Sequence, residues 1–228
     1  MVCEMKKLGT LTIGQAPRPD ITPILDAVID ADFPRCHAGV LDGLSRREID
    51  RDFASRPHQP ALITRLLDGS SVIVDRDRTE AAAQIKLAAM EAEGCDTILM
   101  LCTGHFDKLG TKRARLIEPD HIIPPTVAAL THGQQLGIIV PLAEQIDSEA
   151  SKWTPLARNP LYAVASPYDA SADAIGKAAR ELALRGTAIL LMDCMGFVES
   201  HRREATTASG LPVILSNALI AKLVSEIV

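Results

Sequence analysis

Two cysteines, Cys102 and Cys194, each stand eight residues after a glycine (Gly94, Gly186) and two residues before another (Gly104, Gly196). The segments Gly94-Cys-Asp-Thr-Ile-Leu-Met-Leu-Cys102-Thr-Gly104 and Gly186-Thr-Ala-Ile-Leu-Leu-Met-Asp-Cys194-Met-Gly196 align without a gap. A thiolate can take a proton from a carbon acid and a thiol can return one, so two thiols on opposite faces of one carbon perform racemisation or epimerisation. With a reference pKa of about 8.5, such a thiol needs tuning by a helix N-terminus or by desolvation. The glycines allow a tight turn that aims backbone N–H groups at an anion such as a carboxylate. Either cysteine alone reads better as a small buried hydrophobe. Repetition of the same position with the same glycine spacing favours a site. Asp193 beside Cys194 opposes a thiolate there unless strand alternation turns its carboxylate to the other face.

Other constellations carry less. Thr12, Gln15 and Arg18 follow the first apolar run and are candidates to hold a substrate carboxylate, with Glu144 and Gln145 in the related place of the second half. Arg18 reads equally as a solvated loop charge. His105 and His201 lie shortly after the two cysteines, but no two-His metal spacing exists, and no metal site is expected. The stretch from Gly104 to Lys112 follows a strand, yet its glycines are one residue too far apart for a phosphate-binding loop and no lysine directly follows Gly110.

The elements that must position these groups are legible from periodicity. Leu8 to Gly14 reads as a first strand, closed by Gly and by Pro17 and Pro19, with a helix over about 21–30. Ser45-Arg46-Arg47-Glu48 fits a capping box opening a short helix toward Phe53, and Ser71 to Asp75 reads as a strand. Ala82, Ile85, Ala89 and Ala92 recur at helical spacing before Gly94, and Ala172, Ile175, Ala179 and Leu182 before Gly186. Each glycine suits a left-handed helix cap, and the apolar runs Thr97 to Leu101 and Ala188 to Met192 follow as buried strands. Leu136 to Pro141 repeats the character of Leu8 to Ile13, so the chain reads as an internal repeat with an insertion in its first half.

Composition excludes several classes of function. At 228 residues, 47% hydrophobic and 23% charged, the chain can bury a core without disulfides. A net charge of −5 with interspersed signs offers no stripe for nucleic acid. No apolar run approaches the roughly 18 residues of a membrane span, and the N-terminus shows no secretory signal, so a cytoplasmic location is expected. Five cysteines without Cys-x-x-Cys spacing fit free thiols.

Thr12-Ile-Gly-Gln-Ala-Pro-Arg18, Leu41-Asp-Gly-Leu-Ser-Arg46, Ile138-Ile-Val-Pro-Leu-Ala-Glu-Gln145, Asp193-Cys-Met-Gly-Phe197 and Leu215-Ser-Asn-Ala-Leu-Ile220 together resemble the AroM family, over about Leu8 to Val228. That family is similar to the aspartate/glutamate/hydantoin racemase superfamily. The resemblance implies an α/β fold of two similar αβα halves with parallel sheets, related by a pseudo-twofold axis, with a cysteine from each half at an interface site. It implies domains of 1–118 plus 217–228 and of 119–216. The hydantoin racemase pattern, Cys-x-Gly in both halves, matches Cys102-Thr-Gly104 and Cys194-Met-Gly196. Amino-acid racemases show Cys-Asn-Thr and Cys-Thr instead, so aspartate or glutamate does not follow as substrate.

The expectation is a cofactor-independent racemase, epimerase or isomerase of a small carboxylate or hydantoin-like carbon acid. Cys102 and Cys194 are its acid/base pair. Thr12, Gln15, Arg18, Thr103, Gly104, Glu144, Gln145, Met195, Gly196 and Asn217 surround the substrate. A single-thiol decarboxylase or hydrolase, or a non-catalytic module binding a small anion, are the alternatives. The expected partner is a small anionic molecule, with no nucleic acid, membrane or cofactor, and a homodimer remains open.

Overall fold

The computed structural model describes residues 6–169, 171 and 173–228. The chain divides into two compact units, one of residues 1–102, 106–119 and 221–228, the other of 103–105 and 120–220.

The first unit contains β1 (Leu8–Thr12), α1 (Thr22–Asp26), β2 (Arg35–Gly39), α2 (Arg46–Asp52), β3 (Ala61–Arg65), β4 (Ser71–Asp75), α3 (Arg76–Ala92), β5 (Thr97–Leu101) and β6 (Arg115–Ile117). A parallel sheet of order β2-β1-β5-β6 forms its centre. Every residue of β1 and of β5 is buried, which is why both read as apolar runs rather than as an alternation. The insertion forms α2 and an antiparallel β3-β4 hairpin. Ser45 and Glu48 close the expected capping box of α2: Glu48 N–H donates to Ser45 Oγ, and Ser45 N–H donates to Glu48 Oε2 at 2.8 Å.

Two helix expectations need correction here. The first helix stops at Asp26 rather than near residue 30, because the chain bends through Ile29 into an Asx turn in which Asp30 Oδ1 accepts the Asp32 N–H. In α3 the buried face is Thr79, Glu80, Ala83, Leu87 and Met90, not the expected stripe, and Ile85 is 72% exposed. Alanines surround this helix, so periodicity alone has little contrast. Burying Leu87 and Met90, each worth about 1.5–3 kcal/mol, decides the face.

The second unit holds α4 (Pro119–Thr131), β7 (Leu136–Val140), α5 (Glu144–Ser148), a 3-10 turn (Ala150–Trp153), β8 (Leu161–Val164), α6 (Ala174–Leu184), β9 (Ile189–Met192), α7 (Glu199–Ser209) and β10 (Val213–Leu215). The chain ends in α8 (Ser216–Ser225), which starts in this unit. Its parallel sheet has the order β8-β7-β9-β10. Strand for strand this is the order of the first sheet. In α6, Ile175, Ala179 and Leu182 are buried as expected; Ala172 lies outside the described residues.

The two segments leading to the cysteines share their hydrogen bonding. Gly94 (φ +86°) and Gly186 (φ +85°) end α3 and α6 in Schellman turns. Cys95 N–H donates to Met90 O and Gly94 N–H to Glu91 O, while Thr187 N–H donates to Leu182 O and Gly186 N–H to Ala183 O. Leu8 then pairs with Thr97 and Leu136 with Ile189, each partner three residues beyond its glycine.

Candidate functional site

Cys102 directly follows β5, and Cys194 stands two residues beyond β9, so each leaves the carboxyl end of an interior strand, where open parallel sheets carry their ligands. Both are 8% exposed and belong to the apolar clusters of their units. The Gly196 N–H donates to Cys194 Sγ at 3.4 Å, a donor that a thiolate accepts better than a thiol does.

The reason for a glycine at 196 differs from the expected one. Gly196 is not in the left-handed region; instead a Cβ there would overlap the Tyr168 hydroxyl and lie 2.6 Å from Cζ of that ring. The missing side chain makes room for the phenol. Asn217, only 1% exposed, fastens the same loop: its Nδ2 donates to the carbonyls of Met195 (2.9 Å) and Phe197 (2.5 Å), and its Oδ1 accepts the Ala218 N–H. Asn217 and Met195 are thus tied to each other around Cys194. Tyr168 carried no signal in the sequence, since a lone tyrosine after a strand has no characteristic spacing.

The Asp193 carboxylate is engaged by a cation and a hydroxyl. Its Oδ2 lies 2.6 Å from Lys152 Nζ and its Oδ1 accepts the Ser216 hydroxyl at 3.1 Å. Lys152 Nζ also donates to the carbonyl of Thr103 (2.9 Å) and pairs with Glu149 at 3.3 Å. All three ionic side chains are less than a tenth exposed. Burial works against the Lys152 charge, but Asp193 and Glu149 outweigh it and hold the ammonium well above its ordinary range. The Thr103 hydroxyl donates to the carbonyl of Asp193 at 3.4 Å. The residue after Cys102 and the residue before Cys194 therefore share one buried cation. Sequence reasoning missed Lys152; the available signal was Asp193 itself, a carboxylate in an apolar strand end that requires a cationic partner.

In the first unit, Thr12 and Arg18 meet: Arg18 Nη1 donates to Thr12 Oγ1 at 3.2 Å. Arg18 is 5% exposed and so not a solvated loop charge. It also grips Asp20 through Nε (2.9 Å) and Nη2 (2.7 Å), a two-pronged, charge-assisted pair. Arg18 and Asp20, with Pro17 and Pro19, border a cavity of about 390 Å³ that reaches the hairpin residues Arg65 to Gly69. Gln15 is otherwise engaged. Its Nε2 donates to the carbonyls of Leu41 and Leu44, and its Oε1 accepts the Leu67 N–H, so its amide binds the inserted segment to the loop after β1. In the second unit Glu144 is exposed at the start of α5, while Gln145 is buried with an Oε1 that has no hydrogen-bond partner among the described residues.

The two histidines separate. His201 takes the Val198 N–H on Nδ1 at 3.0 Å and packs edge-on against Phe197, a capping role; burial pushes its pKa below 6.5, partly offset by Glu204. His105 instead meets Asp120, with Nδ1 2.7 Å from Oδ2, and His121 stands beside both.

The sequence profile of the family described as "AroM protein" matches residues 8–228, nearly the whole chain. The chain belongs to the AroM family. No curated protein sequence matches this AroM-family chain. Solved structures with the same fold include glutamate racemase from Aquifex pyrophilus (TM-score 0.60, 12% identity, 97% of this chain and 84% of that one). Allantoin racemase from Pseudomonas fluorescens gives a TM-score of 0.58 at 12% identity, over 96% of this chain and 89% of that one. Unliganded arylmalonate decarboxylase gives 0.52 at 9% identity, over 96% and 92%. At such identities the likeness establishes the fold of the AroM-family chain, two similar α/β units around parallel sheets, and leaves its chemistry to be argued from residues. Among the described residues, no helix is long and apolar enough to cross a membrane.

Proposed function

We propose that this AroM-family protein is a cofactor-independent racemase, epimerase or isomerase of a small carboxylate or hydantoin-like carbon acid, with Cys102 and Cys194 as its acid and base. The observation that carries the reading is the matched pair of thiols, each 8% exposed and each eight residues beyond a Schellman glycine in sheets of the same strand order. We read the two units as copies of one ancestral unit. That solved structures of this fold include a glutamate racemase, an allantoin racemase and an arylmalonate decarboxylase supports the class of reaction.

In this mechanism one cysteine, as thiolate, takes the proton from the acidic carbon and the C–H electron pair moves into the adjoining carbonyl. The other cysteine, as thiol, delivers its proton to the opposite face, which leaves the two sulfurs with exchanged protonation states and the carbon inverted. Thr12 and Arg18 offer a hydroxyl and a guanidinium to a substrate carboxylate once Asp20 yields. A single-thiol decarboxylase is the second reading, with Cys194, whose Sγ accepts the Gly196 N–H, as its acting thiol.

Incubation of candidate carbon acids in deuterated water tests both. Deuterium should enter the acidic carbon, and Cys102→Ser or Cys194→Ser should each abolish turnover; loss of carbon dioxide with only one cysteine essential supports the second reading. Full exchange activity in both serine variants sinks the thiol mechanism.

A further inference from the structure

We propose that His105, Asp120 and His121 bind one divalent ion of the zinc type. Each residue presents one ligand atom, and the three atoms lie within 4.8 Å of one another. Asp120 is the centre: Oδ2 is 2.7 Å from His105 Nδ1 and 3.7 Å from His121 Nε2. Ligand atoms around a tetrahedral zinc, each about 2.0–2.2 Å from the metal, stand about 3.3 Å apart. The two observed separations bracket that value, so small side-chain rotations complete the set.

A second, independent observation points the same way. Asp120 is only 5% exposed, and its Oδ1 is buried without a hydrogen-bond partner among the described residues. An idle buried acceptor on a carboxylate carries a desolvation penalty that a bound cation offsets. The first turn of α4 stabilises this carboxylate, and its repulsion of a cation is little against three ligand bonds. Two imidazoles with one carboxylate form a borderline donor set that suits zinc, cobalt or nickel better than calcium or magnesium. The side chains of His121 and His105, 57% and 36% exposed, leave an entry path and a fourth position for water or an anion. No local motif marks the site, since 14 residues separate His105 from Asp120.

This inference does not rest on the thiol chemistry, and its test reads binding alone. The full chain, stripped with EDTA, is titrated with ZnCl₂ by calorimetry and with Co²⁺ by absorption. One ion should bind per chain and raise the melting temperature. His121→Gln and His105→Gln should each weaken binding by more than about tenfold, since even outer-shell partners are worth that much. The cobalt spectrum should lack a thiolate charge-transfer band. His121 is exposed, so its variant folds, and melting curves without metal verify this for both. Absence of binding to the wild-type chain overturns the proposal. So does equal affinity in the two folded histidine variants, or a thiolate band that disappears in Cys102→Ser or Cys194→Ser.

Discussion

Lys152 Nζ lies 2.6 Å from Asp193 Oδ2, and both side chains are almost fully buried. Removing Lys152 leaves Asp193 and Glu149 as uncompensated interior charges, which costs about 3–5 kcal/mol. Lys152→Met should therefore lower stability in urea by that amount, with Asp193→Asn alone also destabilising. The double variant should lose less than the sum of the two single changes. Additive losses would show that the pair is not coupled.

Gly196→Ala should force the new methyl group against Tyr168. Overpacking of this kind costs about 1–3 kcal/mol. Because the offending atoms are the far end of the ring, Tyr168→Ala combined with Gly196→Ala should recover part of that loss in thermal melts, and no recovery would assign the glycine another role.

Stability should fall with acid. Burial, followed by the charge of Arg35, holds His37 below its ordinary 6.5, against a smaller opposing effect of Asp26; burial does the same for His201, against Glu204. The unfolded chain therefore takes up protons first as pH drops. The stability these neutral imidazoles contribute is complete above 6.5 and is lost as pH falls from 6.5 through their folded values. Melting temperatures from about pH 8 to about pH 5 should decline, and His201→Gln should flatten the decline.

Cys95 should stay unmodified in native protein exposed to iodoacetamide at neutral pH. Burial, reinforced by the neighbouring Cys36, pushes its thiol up to about 12, so almost no thiolate is present. Mass spectrometry of the digested protein reads this directly, and rapid alkylation of Cys95 would refute it.

The amino-acid sequence alone determined the elements whose signals are local. Gly94 and Gly186 mark left-handed caps because few other residues tolerate that conformation; the runs before Cys102 and Cys194 mark interior parallel strands because both faces are buried; Ser45 and Glu48 mark a helix start through bonds three residues apart. The cysteine pair was legible for the same reason, as a repeated local pattern. Tertiary structure decided what depends on partners distant in the chain. It turned the face of α3, where alanines carry no contrast, and it set Gln15 and Asn217 to binding backbone carbonyls. It delivered Lys152 to Asp193 and His105 to Asp120 and His121. Buried charges and ligand sets are satisfied by whichever side chain the fold brings within about 3 Å, and no spacing along the chain encodes that distance.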